Sequence, residues 1–194
     1  MYRKSNIANR VFAVVFSVLW VFTVCSGVSC APKAIGEELF FYRTETVEAE
    51  IALEYSGISS RFKYSGNGNE ARVEFTAPEE LNGFSISISE EGGKVSIDGV
   101  TADAPDALCA VPKIMRTVFT LSPEDVTEIT AAPHPEKEGE TVTRVTADGI
   151  TVTLNGDGLP ILAEGTLFGA SFTAKITDLT VNRGENGENQ RVTP

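Results

Sequence analysis

Between Thr46 and Asp98 the apolar residues fall on every second position, and this period of two constrains the fold more than any other feature of the chain. In "TVEAEIALEYS", Val47, Ala49, Ile51, Leu53 and Tyr55 alternate with Glu48, Glu50 and Glu54. A strand turns successive side chains to opposite faces, so such a segment buries one face and wets the other. The same alternation returns with Ile58, Phe62 and Tyr64, with Ala71, Val73 and Phe75, with Phe84, Ile86 and Ile88, and with Val95 and Ile97. "SG" at 56–57, "SGNGN" at 65–69, "PEELNG" at 78–83 and "EEGG" at 90–93 separate these runs with residues that favour tight turns. Strands joined by links this short form an antiparallel meander.

The period then changes. Leu108, Val111, Ile114, Met115, Val118 and Phe119 recur at spacings of three and four, with Pro112 placed to open a helix and Pro123 to end one, which predicts a helix over about 113–121. Strand patterns resume in "DVTEIT", "ETVTRVTA", "GITVTLNG", "LPILAEGTLFG" and "ASFTAKITDLTV". In the last of these, Phe172, Ala174 and Ile176 share one phase while Leu179 and Val181 take the other, which predicts a β-bulge near Thr177 and Asp178. Five strands, a helix and four or five further strands make a long sheet with one apolar face. Such a sheet must curl over its cover, and one helix supplies only part of it. The expected fold is mainly β with a few short helices, an antiparallel meander curled into a half-open β-barrel with a helical lid.

The N-terminus is of a different kind. Arg3, Lys4 and Arg10 precede an apolar run over 11–24 that is interrupted only by Ser17 and Thr23. This is the layout of a secretory signal, and the run is short of the roughly 20 apolar residues that span a bilayer. "SGVSC" at 26–30 resembles a bacterial lipobox, in which a small residue stands before a cysteine that is acylated and becomes the first mature residue. Ser29 before Cys30 fits this pattern, while Gly27 stands where the pattern has an aliphatic residue. Cys25 fits worse, because the bulky Val24 precedes it. Cleavage near Ala31 without lipid, or an uncleaved anchor, are the alternatives. The expected organisation is a signal peptide over 1–29, a tether over 30–37, one domain over 38–182 and a disordered tail over 183–194. Cys30 would hold the protein on the outer face of the cytoplasmic membrane, facing the periplasm where an outer membrane exists.

Removing residues 1–29 takes away three basic residues and no acidic one, leaving a formal charge of −14. A chain of that charge has no general field for nucleic acid, so no nucleic-acid partner is expected. With Cys30 lipidated, Cys109 is left without a partner cysteine and reads as a small buried hydrophobe. His134, the only histidine, sits in the Pro-rich loop "AAPHPEKEGE" and reads as solvated rather than catalytic or ligating. "SRFK" at 60–63 has the S-x-x-K spacing of a nucleophile pair, but in a strand Ser60 and Lys63 face opposite ways. Glu90 with Glu91, and Asp103 with Asp106, read as solvated turns without a calcium-loop pattern. No enzyme, metal or cofactor is expected on these residues.

The segment "FTAPEELNGFSISISEEGGKVSIDGV", the Pro-opened helix and "ITVTLNGDGLPILAEG", behind a lipoprotein-like N-terminus, resemble the LolA-like half-barrel lipoproteins, particularly the small envelope lipoproteins of Gram-positive bacteria. The resemblance covers roughly residues 38–182. It implies a concave apolar cavity under a helical lid, which some members use to carry lipids or the acyl chains of lipoproteins and others only to hold a partner protein. Ile114, Met115, Val118 and Phe119 on the lid, with Phe75 and Ile86 on the sheet, are then the candidate ligand-lining residues. They serve equally as plain core. Two functions stay open on the sequence: a membrane-anchored carrier for a lipid or acylated protein, and a non-enzymatic envelope module whose cavity is filled by its own side chains and which binds a partner protein.

Overall fold

A computed structural model describes residues 37–182 and 190–192. The expected signal peptide, the tether with Cys30, and the tail therefore lie outside the described residues, apart from Glu37 and Gln190–Val192.

The alternation of the first half folds as expected. Strands β1 (Thr46–Tyr55), β2 (Ile58–Gly66), β3 (Ala71–Ala77), β4 (Ser85–Ser89), β5 (Gly92–Ile97) and β6 (Val100–Asp103) pair in sequence order, each antiparallel to the last. Helix α1 (Ala110–Phe119) follows, then β7 (Val126–Pro133), β8 (Thr141–Ala147), β9 (Ile150–Leu154), β10 (Pro160–Leu167) and β11 (Ala170–Asn182), again pairing in order. The two halves join where β1 pairs with β11, and the sheet runs from β6 at one edge to β7 at the other without closing. A last strand, β12 (Gln190–Val192), pairs antiparallel with residues 179–181, inside the segment that the sequence reads as a frayed tail.

Cross-strand register puts the apolar positions on one face. Ile51 lies opposite Phe62 and Ile176, Phe62 opposite Phe75, Val73 opposite Ile86, and Ala163 opposite both Val152 and Ala174. The predicted bulge is present. Glu50 pairs with Thr177 but Glu48 pairs with Thr180, so β11 carries one extra residue, and Asp178 adopts φ +48° there. The insertion returns Leu179 and Val181 to the buried side with Ile176.

Helix α1 begins three residues before the predicted start, with Pro112 in its first turn, where the missing N–H costs nothing. It packs chiefly on β3 and β4, and also on β2 and β10. β4 and β10 are five strand steps apart, about 24 Å across a flat sheet, whereas ten helical residues span about 15 Å. The sheet is therefore curled around the helix, which makes it the half-open barrel expected from the pattern.

A second cover has no counterpart in the sequence pattern. Glu37–Thr44, within a stretch that has neither a strand nor a helix period, forms a kinked 3-10 segment that buries Phe40 and Tyr42. Chain that precedes the first strand thus contributes to the core.

Backbone approaches the core closely at Gly165. A Cβ there would lie 2.7 Å from the Gly149 carbonyl oxygen and 3.2 Å from the Phe172 ring. Gly165→Ala is expected to cost about 1–3 kcal/mol by overpacking. Gly156→Ala, which meets nothing, should stay within about 0.5 kcal/mol of wild type in urea denaturation. Equal midpoints for the two variants would contradict this packing.

Candidate functional site

The six candidate lining residues meet in one place. The 3.6-residue period of α1 turns Ile114, Met115, Val118 and Phe119 onto the sheet, where Phe75 and Ile86 rise from β3 and β4. Phe119 stacks on Tyr64 at 4.8 Å between centroids, and Tyr42 meets it edge-on at 6.4 Å. Phe75 contacts both Phe62 and Phe84, at 5.6 and 5.8 Å. The arrangement is a filled core. Ile114, Met115, Val118 and Tyr42 expose 0% of their surface. None of the six lines any of the three principal clefts among the described residues.

Two groups in this core lack hydrogen bonds. The hydroxyls of Tyr42 and Tyr64 are buried with no partner among the described residues, and burial holds both phenols well above their ordinary range. Gly66 makes room for the second: a Cβ there would stand 2.5 Å from the Tyr64 oxygen. The aromatic rings are retained for packing and stacking, against the cost of the hydroxyls.

A cleft of about 640 Å³ lies elsewhere, where the β7–β8 loop, the β9–β10 turn and the middle of β11 come together. Val142, Leu159, Ile161 and Leu162 give it an apolar floor, and Glu136, Glu140, Asp157 and Asp178 stand with Lys137 and Lys175 among its polar residues. Local hydrogen bonds shape both walls. His134 Nδ1 accepts the N–H groups of Glu136 and Lys137, each at 3.0 Å, and the His134 N–H donates to the Glu140 carbonyl. Asn155 Oδ1 accepts the N–H groups of Asp157 and Leu159 across the facing turn. Glu136 then reaches Lys175 on β11 at 2.6 Å and ties the loop to the sheet. His134 is thus a turn-forming residue rather than a merely solvated one. Sequence reasoning missed the cleft because its walls come from segments some twenty residues apart or more.

The remaining candidates are placed plainly. Ser60 pairs opposite Leu53 and Lys63 opposite Glu50, so the S-x-x-K residues do face opposite sides of β2. Cys109 is buried at the start of α1, packed so closely on Gly93 that a Cβ there would collide with its sulfur. Asp103 is paired with Lys94 at 2.9 Å and Asp106 with Lys113 at 3.1 Å. Cys30 lies outside the described residues.

No family model and no curated protein matches the chain. Solved structures similar to it in chain path include an uncharacterized conserved protein from Thermus thermophilus, at 12% identity, covering 76% of this chain and 85% of that one with a TM-score of 0.47. A LolA superfamily protein from Nitrosomonas europaea is similar at 11% identity, over 76% and 93% of the two chains, with a TM-score of 0.39. The lipoprotein LppX of Mycobacterium tuberculosis is similar at 14% identity, over 78% and 94%, with a TM-score of 0.45. At these values no activity passes from those proteins to this one.

Phe119→Ala is expected to cost about 3–5 kcal/mol, because a large ring is lost beside two tyrosines. Tyr64→Phe should cost under about 0.5 kcal/mol or stabilise, since it removes only an unsatisfied buried hydroxyl. Denaturation of both variants checks this, and a large loss in Tyr64→Phe would show that the hydroxyl has a partner.

The Lys175 hydrogen bond holds the Glu136 carboxyl below the usual carboxylate range. A carboxyl whose folded value is depressed stabilises the fold above its unfolded value, and that contribution disappears as pH falls through the folded value. The tie between loop and sheet should therefore persist at neutral pH and open only in acid. In an NMR titration of the side-chain carbon, Lys175→Gln should move the Glu136 midpoint upward; an unchanged midpoint would mean that the ion pair does not form in solution.

Proposed function

We propose that this chain is a non-enzymatic interaction module of the cell envelope, held to the membrane by acylated Cys30, which binds a partner protein through its surface. The observation that carries the reading is the buried interior: of the residues that would line an acyl-chain cavity, Ile114, Met115 and Val118 are 0% exposed, and Phe119, Ile86 and Phe75 are 2%, 2% and 6% exposed. The competing reading, a carrier for lipid or acylated protein, requires α1 to leave the sheet. Burying a large apolar side chain is worth about 1.5–3 kcal/mol, so exposing Ile114, Met115, Val118 and Phe119 together would cost about 6–12 kcal/mol. That is comparable to the whole stability of an ordinary domain, about 5–15 kcal/mol, so a lid that opens at this cost would take the fold with it.

The N-terminal pattern supports the envelope and the anchor. Two acyl chains on one cysteine are enough for stable tethering, at about 0.8 kcal/mol per buried CH₂, where one chain holds only marginally. The non-enzymatic reading is supported by the opposed faces of Ser60 and Lys63 and by the structural use of His134 in its loop.

Native mass spectrometry of the protein purified from its own membrane tests these points together. The expected mass is that of a polypeptide beginning at a diacylglyceryl-modified Cys30, with no further lipid attached. A stoichiometric lipid that survives detergent exchange would overturn the filled-interior reading, and an unmodified or uncleaved N-terminus would overturn the anchor.

A further inference from the structure

The strand β11 is longer than its neighbour. Residues 179–181 pair with β12, and Thr180 and Val181 pair at the same time with Glu48 and Val47 of β1, so β12 occupies the edge of β11 that β10 uses further along. β10 covers that edge only up to Lys175, which pairs with Leu162. Between the two, Ile176, Thr177 and Asp178 have no ladder partner on this edge among the described residues, and all three line the 640 Å³ cleft together with Pro160 and Ile161 at the start of β10. β12 and β10 run in the same direction along this edge, so an extended chain can lie on it without reversing.

We infer that the edge of β11 from Ile176 to Asn182, with the adjoining cleft, is a strand-addition site for an extended basic and apolar segment of a partner protein, and that the chain's own β12 is its resident occupant. The inference rests on the partner-binding reading above. The edge accepts a strand, because β12 is one. A strand presents side chains alternately, and the half-buried Ile161 and Leu162, with Val142 beneath them, offer an apolar floor to the side chain that points inward. The polar residues around the cleft carry four carboxylates against two lysines, one of them already engaged by Glu136, and the whole chain carries −11. Lysine or arginine at the alternate positions of the incoming segment complements that charge. Backbone hydrogen bonds then supply the affinity, and cleft and charge supply the choice of partner. A partner must displace β12, so the tail sets the threshold for binding.

The test uses the full-length chain in detergent micelles and the peptide acetyl-Lys-Val-Lys-Val-Lys-amide as probe, with affinity measured by calorimetry and the site by amide chemical shifts. Arg191→Pro removes a donor at the centre of β12 and should bind the peptide at least tenfold more tightly than wild type, with shifts concentrated on 176–182 and the cleft. Arg191→Ala, which removes the charge but keeps the strand, should stay within about twofold of wild type. The peptide N-methylated at every residue, and its Glu-Val-Glu-Val-Glu counterpart, should not bind. Ile161→Arg in the Arg191→Pro background should lose the gain without a change in melting temperature. Equal affinity in wild type and Arg191→Pro, an equal gain in Arg191→Ala, or equal binding of the N-methylated peptide would overturn the inference. Lipid found in the interior would bring down the filled-interior reading and leave these results standing, whereas a lipid-free protein that fails them brings down the strand-addition site alone.

Discussion

The contact of α1 with both flanks of the sheet is what the rest of the structure depends on. Ten residues bridge strands that would be about 24 Å apart if the sheet were flat, so the apolar stripe of the helix sets the curl. Phe119 sits at the C-terminal end of this bridge, stacked on Tyr64 of the sheet and met by Tyr42 from the 3-10 segment. Three separate pieces of chain therefore close on one ring. The curl turns the apolar faces of the two sheet halves toward a common interior, which these buried side chains occupy.

The clefts found among the described residues lie away from the helix-covered core. The cleft lined by Val142, Ile161 and Leu162 adjoins β11 where that strand runs beyond its pairing with β10. With the bulge at Asp178, β11 continues beside β1 as far as Asn182, while the pairing of β10 begins only opposite Lys175. The bulge and the end of the β10 ladder fall within three residues of each other on β11. The ion pair of Glu136 with Lys175 and the turn built on the His134 ring hold the wall that makes this edge a cleft rather than a flat rim.

Much of the architecture was legible in the sequence because period-two burial is a local signal. The meander of β1 to β5, the bulge near Thr177 and Asp178, the helix and the later strands all follow from spacing alone. β6 was not legible: Val100–Asp103 is an edge strand exposed along its length, and four residues give no pattern to read. The helix start at Ala110 was masked by Pro112, which looks like a first residue but serves as well within the first turn. Phe40 and Tyr42 look like part of a link because their burial follows a kinked 3-10 path with neither common period. The six candidate lining residues are legible as a group, but spacing does not distinguish a wall from a plug. That depends on whether Phe119, Tyr42 and Tyr64 reach one another across the interior.

Amide hydrogen exchange in α1 tests this account most directly. A helix that is the plug of the core can open only when the domain unfolds, so the amides of Ile114, Met115, Val118 and Phe119 should exchange with the same free energy as those of Ile51 and Leu53 in β1, and should lose protection in parallel with them as denaturant is raised. A lid that opens to admit a ligand would exchange by a separate, cheaper route, with α1 amides several kcal/mol less protected than β1 and insensitive to low denaturant. That second result would contradict the filled interior and return the cavity to a binding role.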